Sequence, residues 1–338
     1  MSKFDELFEF RLARVDEIDK IMEFNSKYWG KKDHILAVNR DFFEYEFKKD
    51  DRVGYFLAVE KETNIIAAAE GVYFYSAEHI PGITDMSSGM FLANPECKVP
   101  LIGVELMKRK FEILKPRAFV GPGVNMSTSG PLYMRVLHQD VRRMRHFYRL
   151  SDRQTYRIAK IKNKAISSNV HDHKVELNRV SSADELYITF NDEAYKERKP
   201  YKDRWYVTHR YFEHPVYNYN VYTAGSECVV IGREIEVNEV RILRIVDILG
   251  DADKVAFLSA EFKRLIDEND YEYIDLYELG MDDKCLALGG FVERLENDAN
   301  IIPNYFEPYE CRNVEIYAQR LDTSVLCFKA DGDQDRPN

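Results

Sequence analysis

The sequence predicts a mixed α/β (α+β) fold in two tandem domains, each a mixed, mostly antiparallel sheet flanked by helices. Three observations predict it. Apolar residues alternate at period two in some stretches and recur at helical spacing in others, and the two patterns interleave along the chain. The order of elements runs through once, breaks at the polar stretch 163–174, and starts again. At 338 residues the chain has room for about two domains. We place them at residues 1–165 and 175–338.

In the first domain "FEFRLA" alternates as a strand, and "VDEIDKIMEFNSKYW" carries Ile18, Ile21, Met22 and Phe24 at helical spacing. "VNRDFFEYEFKKD" is a second helix with Asn39 as its cap. "VGYFLAVEKETNIIAAAEGVYFYS" reads as two strands around the turn "KETN", and "SSGMFLANP" as a further strand. "PLIGVELMKRKFEILK" is a helix closed by Pro116, "AFVGPGVN" a short strand, and "SGPLYMRVLHQDVRRM" a helix. The order is β-α-α-β-β-β-α-β-α.

The linker "NKAISSNVHDHK" has no periodicity. After it come the strand "VELNRV", a helix from "SADELYITFNDEAYK" capped by Ser182, and a helix from "DRWYVTHRYFEH". Three strands follow, "YNVYTAG", "CVVIGREIEV" and "VRILRIVDILG", then the amphipathic helix "DADKVAFLSAEFKRLIDEND". The strand "YEYIDLYEL", the helix "DKCLALGGFVERL" and strands from "IPNYFEPYE", "VEIYAQRL" and "SVLCFK" complete the second pass. The halves share an element order and almost no residues, which is the mark of a tandem structural duplication.

Composition narrows the function. A net charge of −10 argues against a general nucleic-acid binder. The five cysteines are scattered and form no CxxC pair, as expected of reduced thiols. The charged N-terminal stretch is unlike a signal peptide. No apolar run approaches the roughly 20 residues of a membrane span. These features lead us to expect a cytoplasmic protein without a membrane partner. His171 and His173 flank Asp172, but no further ligands stand at matching spacing, and the acidic tail "ADGDQDRPN" lacks the flanking helices and distal glutamate of a calcium loop; no metal is expected.

The stretch most suggestive of chemistry is "ECKVPLIGVELMKRK", residues 96–110, a loop between a strand and a helix N-terminus. Such loops hold pyrophosphates on backbone N–H groups and the helix dipole. Here only Gly103 represents the usual glycines. Lys98-Val-Pro-Leu101-Ile-Gly103, followed by Val104, falls in the register of the phosphate loop of the GNAT acyltransferases. Asn125, followed by Leu132-Tyr133, is similar to the start of that family's Asn…Leu-Tyr-x-x-x-Gly-Phe helix, and Gly290-Phe291 matches its end in the second half. The chain thus resembles the GNAT superfamily, built twice. It departs from the pattern at Leu101, where the first loop glycine is lost, and at Leu137-His138, which replaces Gly-Phe. The corresponding second loop, "LGDADKVAF", is acidic, so the first half is expected to hold the donor.

The resemblance implies acyl-CoA as co-substrate, contacted by Leu92, Ala93, Lys98, Leu101, Ile102, Gly103, Val104 and Asn125. It implies that backbone at Leu92 and Ala93 polarises the thioester carbonyl, and that Tyr133 protonates the departing thiolate. Glu70 and Asp247 lie in apolar runs, where burial would raise a carboxyl toward the range of a general base. "REIEVNEVRILRIVDILG", "YEYIDLY", "IPNYFEPYE" and the tail further resemble two-domain GNAT proteins of surface-polysaccharide (lipopolysaccharide O-antigen) biosynthesis. Among these are N-acyltransferases of nucleotide-linked 3-amino-3,6-dideoxyhexoses that use acetyl-CoA or 3-hydroxybutanoyl-CoA. That resemblance implies a nucleotide-sugar partner, such as a dTDP-amino sugar, in the second half, and leaves room for a homodimer. Arg233, Arg244, Tyr305 and Glu307 are the expected substrate contacts. Arginine suits a diphosphate, although alternation turns Arg241 and Arg244 to opposite faces.

Two other readings remain at this stage. A FemX-like peptidyltransferase, also a GNAT tandem, would use the basic segment 135–164 to hold aminoacyl-tRNA. A non-catalytic binding module would explain the lost loop glycine.

Overall fold

A computed structural model of the protein describes residues 2–30, 33–165 and 175–337; the His171–His173 stretch of the linker lies outside the described residues. In chain order the strands are β1 (Phe8–Ala13), β2 (Lys48–Lys49), β3 (Arg52–Glu60), β4 (Ile66–Phe74), β5 (Met86–Ala93), β6 (Phe119–Pro122), β7 (Asp140–Arg143) and β8 (Arg145–Leu150). Then come β9 (Leu177–Val180), β10 (Tyr219–Ala224), β11 (Cys228–Val237), β12 (Val240–Gly250), β13 (Tyr271–Leu279), β14 (Val292–Arg294), β15 (Tyr317–Arg320) and β16 (Cys327–Phe328). They form two sheets, ordered β1-β3-β4-β5-β6-β15-β7 and β14-β8-β13-β12-β11-β10-β9, with β2 on β3 and β16 on β13.

The two orders are the same pattern run twice. Four antiparallel strands are followed by one parallel step, β5 to β6 in the first sheet and β12 to β13 in the second. The next strand is borrowed. β15 of the second half pairs with β6, and β8 of the first half pairs with β13. Each half then adds its own last strand, β7 or β14, beside the borrowed one. The expected division at residues 165–175 therefore does not divide the sheets. A shared apolar core explains the exchange: Tyr75, Val120 and Met144 of the first half pack with Tyr277, Ile316 and Val325 of the second.

Several elements form as their sequence dictates. Asn39 Oδ1 accepts from Phe42 N at 2.9 Å and caps Arg40–Phe47; Ser182 caps Ala183–Thr189. The helix read in "SGPLYMRVLHQDVRRM" is shorter, only Ser129–Arg135. His138 takes a left-handed φ of 53°, and the end of the stretch becomes β7, with β8 directly after it, because both find partner strands in the other half. Likewise "CLALGGFVERL" is helical only over Asp283–Leu288, before β14. "IPNYFEPYE" contains no named strand, only an isolated bridge between Phe306 and Tyr309. Pro303 and Pro308 lack the N–H that a ladder requires. Among the described residues, no helix is long and apolar enough to cross a membrane.

Each parallel step opens into a fork. β5 and β6 pair only at Met86–Phe119 and Ser87–Val120, after which β5 continues to Ala93 without β6. β12 parts from β13 after Ile245–Leu276. The second fork is filled by the chain itself. β16 pairs with Glu278 and Leu279, and Ala330 N donates to Val246 O at 2.9 Å. At the root of the first fork stands Gly332, where a Cβ would lie 2.8 Å from Ser88 O.

The strand exchange gives a direct expectation. Residues 1–165 and 175–338, expressed separately, should each lack a cooperative thermal transition by circular dichroism, and mixing them should restore one.

Candidate active site

The open fork leads into a cleft of about 870 Å³. One wall is β5 at Ser88–Phe91, with Met107 of the helix Ile102–Leu114 behind it. Another is 121–125 and the helix Ser129–Arg135 with Tyr133. The opposite wall is Tyr217, Arg233 and 304–308, and the floor is Lys329 with 333–337.

The position of the free backbone follows from hydrogen-bond alternation. Asn94 N donates to Ala67 O at 2.8 Å, toward β4. The N–H groups of Ala93 and Phe91 therefore point away from β4, toward the fork. A register shift between Glu70 and Val72 places a bulge in β5 at Gly89–Met90. Bulges re-aim backbone groups at sites of this kind. The expected pair Leu92–Ala93 is displaced: the cleft is lined by Gly89, Met90 and Phe91, because the bulge and not the strand end faces it.

The loop residues stand beyond the cleft, at the end of β5. Lys98 and Leu101 are exposed, Ile102 and Gly103 are buried in the first turn of Ile102–Leu114, and Val104 is half-buried. Leu101 precedes this helix at φ 64°, the conformation that the lost glycine would take without strain. Gly103 has a different task. A Cβ there would lie 2.9 Å from Phe91 Cζ, so this glycine lets the helix close onto β5. Asn125 lines the cleft, and its Oδ1 accepts from Ser127 N at 2.9 Å, which forms the turn before Ser129–Arg135.

Tyr133 is 8% exposed and faces the cleft. Burial pushes its hydroxyl pKa up, nearby Glu70 adds to the rise, and hydrogen bonding with Gln319 and Ser129 offsets part of it. It therefore remains a proton donor at neutral pH. Gln319 lies on the borrowed β15, so the second half helps to place it.

Three expected site residues are engaged elsewhere. Glu70 Oε1 accepts from Lys110 Nζ at 2.5 Å inside the first core. Asp247 accepts from Lys202 Nζ at 2.5 Å and from Tyr211 Oη and the Ile248 N–H. Neither lines the cleft, and each is committed to a buried ammonium. Arg244 is fully buried and bidentate on Asp275 (3.0 and 2.6 Å), with Pro303 O and Asn304 O as further acceptors. It supports the 303–306 loop and cannot reach a ligand. Arg241 points away, as alternation requires, to Glu234 and Asn269 O.

Arg233, Tyr305 and Glu307 do come together in the cleft. Arg233 Nε binds Asp335 Oδ1 at 3.0 Å, and its guanidinium lies 4.0 Å from the Tyr217 ring centre. Tyr217 Oη donates to Glu307 Oε2 at 3.0 Å.

The sequence reading missed the contribution of the C-terminal segment. Asp333, Asp335 and Arg336 all line the cleft. Arg336 pairs with Glu46 and stacks 3.7 Å from the Tyr73 ring centre. Lys329 is 3% exposed, lines the cleft, and has no hydrogen bond or ion pair among the described residues. Burial, with Arg244 and Arg233 nearby, pushes its pKa down to about 7 against the pull of Asp335. The basic segment 135–164, by contrast, is partly paired within the chain. Arg142 pairs with Asp140, Arg143 with Glu315, Arg145 with Glu293 and Arg153 with Asp270. Among the described residues, no group of three or more metal-ligating side chains is present.

Two solved structures share this architecture. A GCN5-related N-acetyltransferase from Anabaena variabilis ATCC 29413 superposes with a TM-score of 0.53 at 10% identity, over 93% of this chain and 72% of that one. A conserved protein of unknown function from Enterococcus faecalis V583 gives 0.52 at 11% identity, over 93% and 73%. No protein-family model and no curated protein sequence matches the chain. The fold is that of the GCN5-related N-acetyltransferases, which 338 residues accommodate twice.

The packing at the loop gives a test. Gly103→Val forces Phe91 aside and should cost about 1–3 kcal/mol in urea unfolding. Leu101→Gly should be neutral or stabilising by about 1 kcal/mol, because it relieves a left-handed residue.

Proposed function

We propose that the protein is an N-acyltransferase that moves an acyl group from acyl-CoA to the amino group of a nucleotide-linked amino sugar by direct attack on the thioester. The observation that carries the reading is the open fork, where β5 at Gly89–Phe91, past its pairing with β6 and with the Phe91 N–H turned from β4, meets Tyr133 in one cleft. A thioester laid along β5 would present its carbonyl to fixed N–H donors, which stabilise the developing oxyanion without reorganisation. The pyrophosphate would then reach the first turn of Ile102–Leu114, where three N–H groups precede the first intrahelical bond, Glu105 N to Leu101 O. The donor half is the first, since the second fork holds the chain's own residues 327–330.

The acceptor reading rests on the opposite wall. Buried, unpaired Lys329 suits an anionic group such as a diphosphate, and Tyr217 and Tyr305 offer faces for a base or sugar ring. A tRNA acceptor finds less support, because several arginines of the basic segment are paired with acids of the chain.

Two results test this. Acetyl- and 3-hydroxybutanoyl-CoA, incubated with dTDP-amino sugars, should give acylated sugar by mass spectrometry; Tyr133→Phe should lower kcat by about 10²-fold with folding intact, and an unchanged rate would remove Tyr133 from the mechanism. Binding of a dTDP-amino sugar at about pH 8 should take up a proton. Lys329, largely neutral there when free, is recharged by a phosphate, and the uptake should vanish in Lys329→Met. Calorimetry in buffers of different ionisation enthalpy reads it.

A further inference from the structure

Amide formation also needs a group to receive the proton of the attacking amine, and Glu70 and Asp247 are both committed to lysines. The C-terminal segment supplies another carboxylate. It turns at Gly332 (φ 62°) at the root of the first fork, where a Cβ would stand 2.8 Å from Ser88 O. Asp333 follows. Its Oδ1 accepts from Tyr73 Oη at 2.7 Å and lies 3.2 Å from where a Cβ on Gly89 would be. Gly89 is part of the β5 bulge, beside the backbone assigned to the thioester. Asp333 keeps part of its surface open to the cleft, and its Oδ2 has no hydrogen bond among the described residues.

Resting on the acyl-transfer reading above, we propose that Asp333 is the catalytic base, taking the proton from the amine nitrogen as it attacks the thioester. The amine lone pair forms the C–N bond, and the nitrogen, now cationic, gives one proton to Asp333 Oδ2. The tetrahedral intermediate collapses with cleavage of C–S, and the thiolate takes the proton of Tyr133. The proton on Asp333 returns to the Tyr133 phenolate through solvent, so the products are the amide and the free thiol of CoA.

The surroundings suit this task. Tyr73 bonds Asp333 from β4, Glu46 acts on it from the helix Arg40–Phe47 and Arg336 from its own segment, and Glu70, held by Lys110, acts through space; the β5 neighbours Ser88, Gly89 and Met90 bring no charge. Burial raises the carboxyl. The Tyr73 hydrogen bond and Arg336 restrain it, and Glu46 and Glu70 add to the rise, leaving it at about 6. It is then ionised at neutral pH and still basic enough to accept a proton.

The test is the rate of CoA thiol release from acetyl-CoA with a panel of dTDP-amino sugars, over about pH 5 to 9, together with acetyl-CoA affinity by calorimetry. Asp333→Asn should bind acetyl-CoA as the wild type does, lose about 10²-fold or more in kcat, and lose the bend in log kcat/KM near pH 6. Tyr73→Phe should move that bend to higher pH, because the lost hydrogen bond favoured the carboxylate. An Asp333→Asn protein that binds acetyl-CoA and keeps the wild-type rate and profile overturns the proposal while acyl transfer stands. Absence of thiol release by the wild type with every acceptor overturns acyl transfer and this role with it. Should the Asn variant fail to bind acetyl-CoA, Asp333→Glu and Tyr73→Phe decide: an unmoved bend in both overturns the proposal.

Discussion

β8 and β15 hold the molecule together, because each completes the sheet of the half to which it does not belong. β8 pairs with β13 over six residues, from Leu150 opposite Tyr273 to Arg145 opposite Glu278. β15 lies between β6 and β7. The backbone ladders thus cross between the halves, and side-chain packing follows them into a shared core. The cleft inherits this arrangement. Tyr133 comes from the first half, but Gln319 beside it comes from the second, and the floor beneath is the end of the chain.

Buried charge then fixes what the ladders leave open. Lys202 bridges Asp247 and Asp331 at 2.5 and 2.9 Å, tying β12 to the C-terminal segment. Arg244 and His146 share Asp275, with Arg294 donating to the other nitrogen of the imidazole. The Arg244 guanidinium draws Asp275 down to about 2 against the cost of burial, and burial lowers His146 to about 4. Removing one partner of such a group strands a charge in the core and typically costs about 3–5 kcal/mol. What these pairs set is position. Asp331 is held two residues before Asp333, and Arg244 holds the loop that presents Tyr305.

Much of the fold was legible in the sequence because it follows from local periodicity. The duplicated order, the antiparallel meanders and the caps at Asn39 and Ser182 rest on patterns within each segment. The strand exchange does not. β7 reads as the end of a helix and β8 goes unread, because their pairing partners lie more than 100 residues away in the chain. The site divides in the same way. Tyr133 and Arg233, which line the cleft, stand out from their neighbours in sequence, whereas Glu70, Asp247 and Arg244 looked free only because Lys110, Lys202 and Asp275 are distant along the chain. Asp333 and Lys329 lie in and beside a short acidic tail whose composition resembles a solvated end. Nothing in it signals that Lys202, Arg210 and Arg233 await its aspartates.

The strand that fills the second fork also bears on stoichiometry. Duplication made two places where parallel strands part, and a ligand that threads between them would in principle bind twice. β16 and Ala330 occupy one of the two through main-chain hydrogen bonds that need no particular side chain. Occupancy of the second fork is therefore set by main-chain pairing and would survive any change of loop sequence in the second half. Placing glycines in "LGDADK" would not open it.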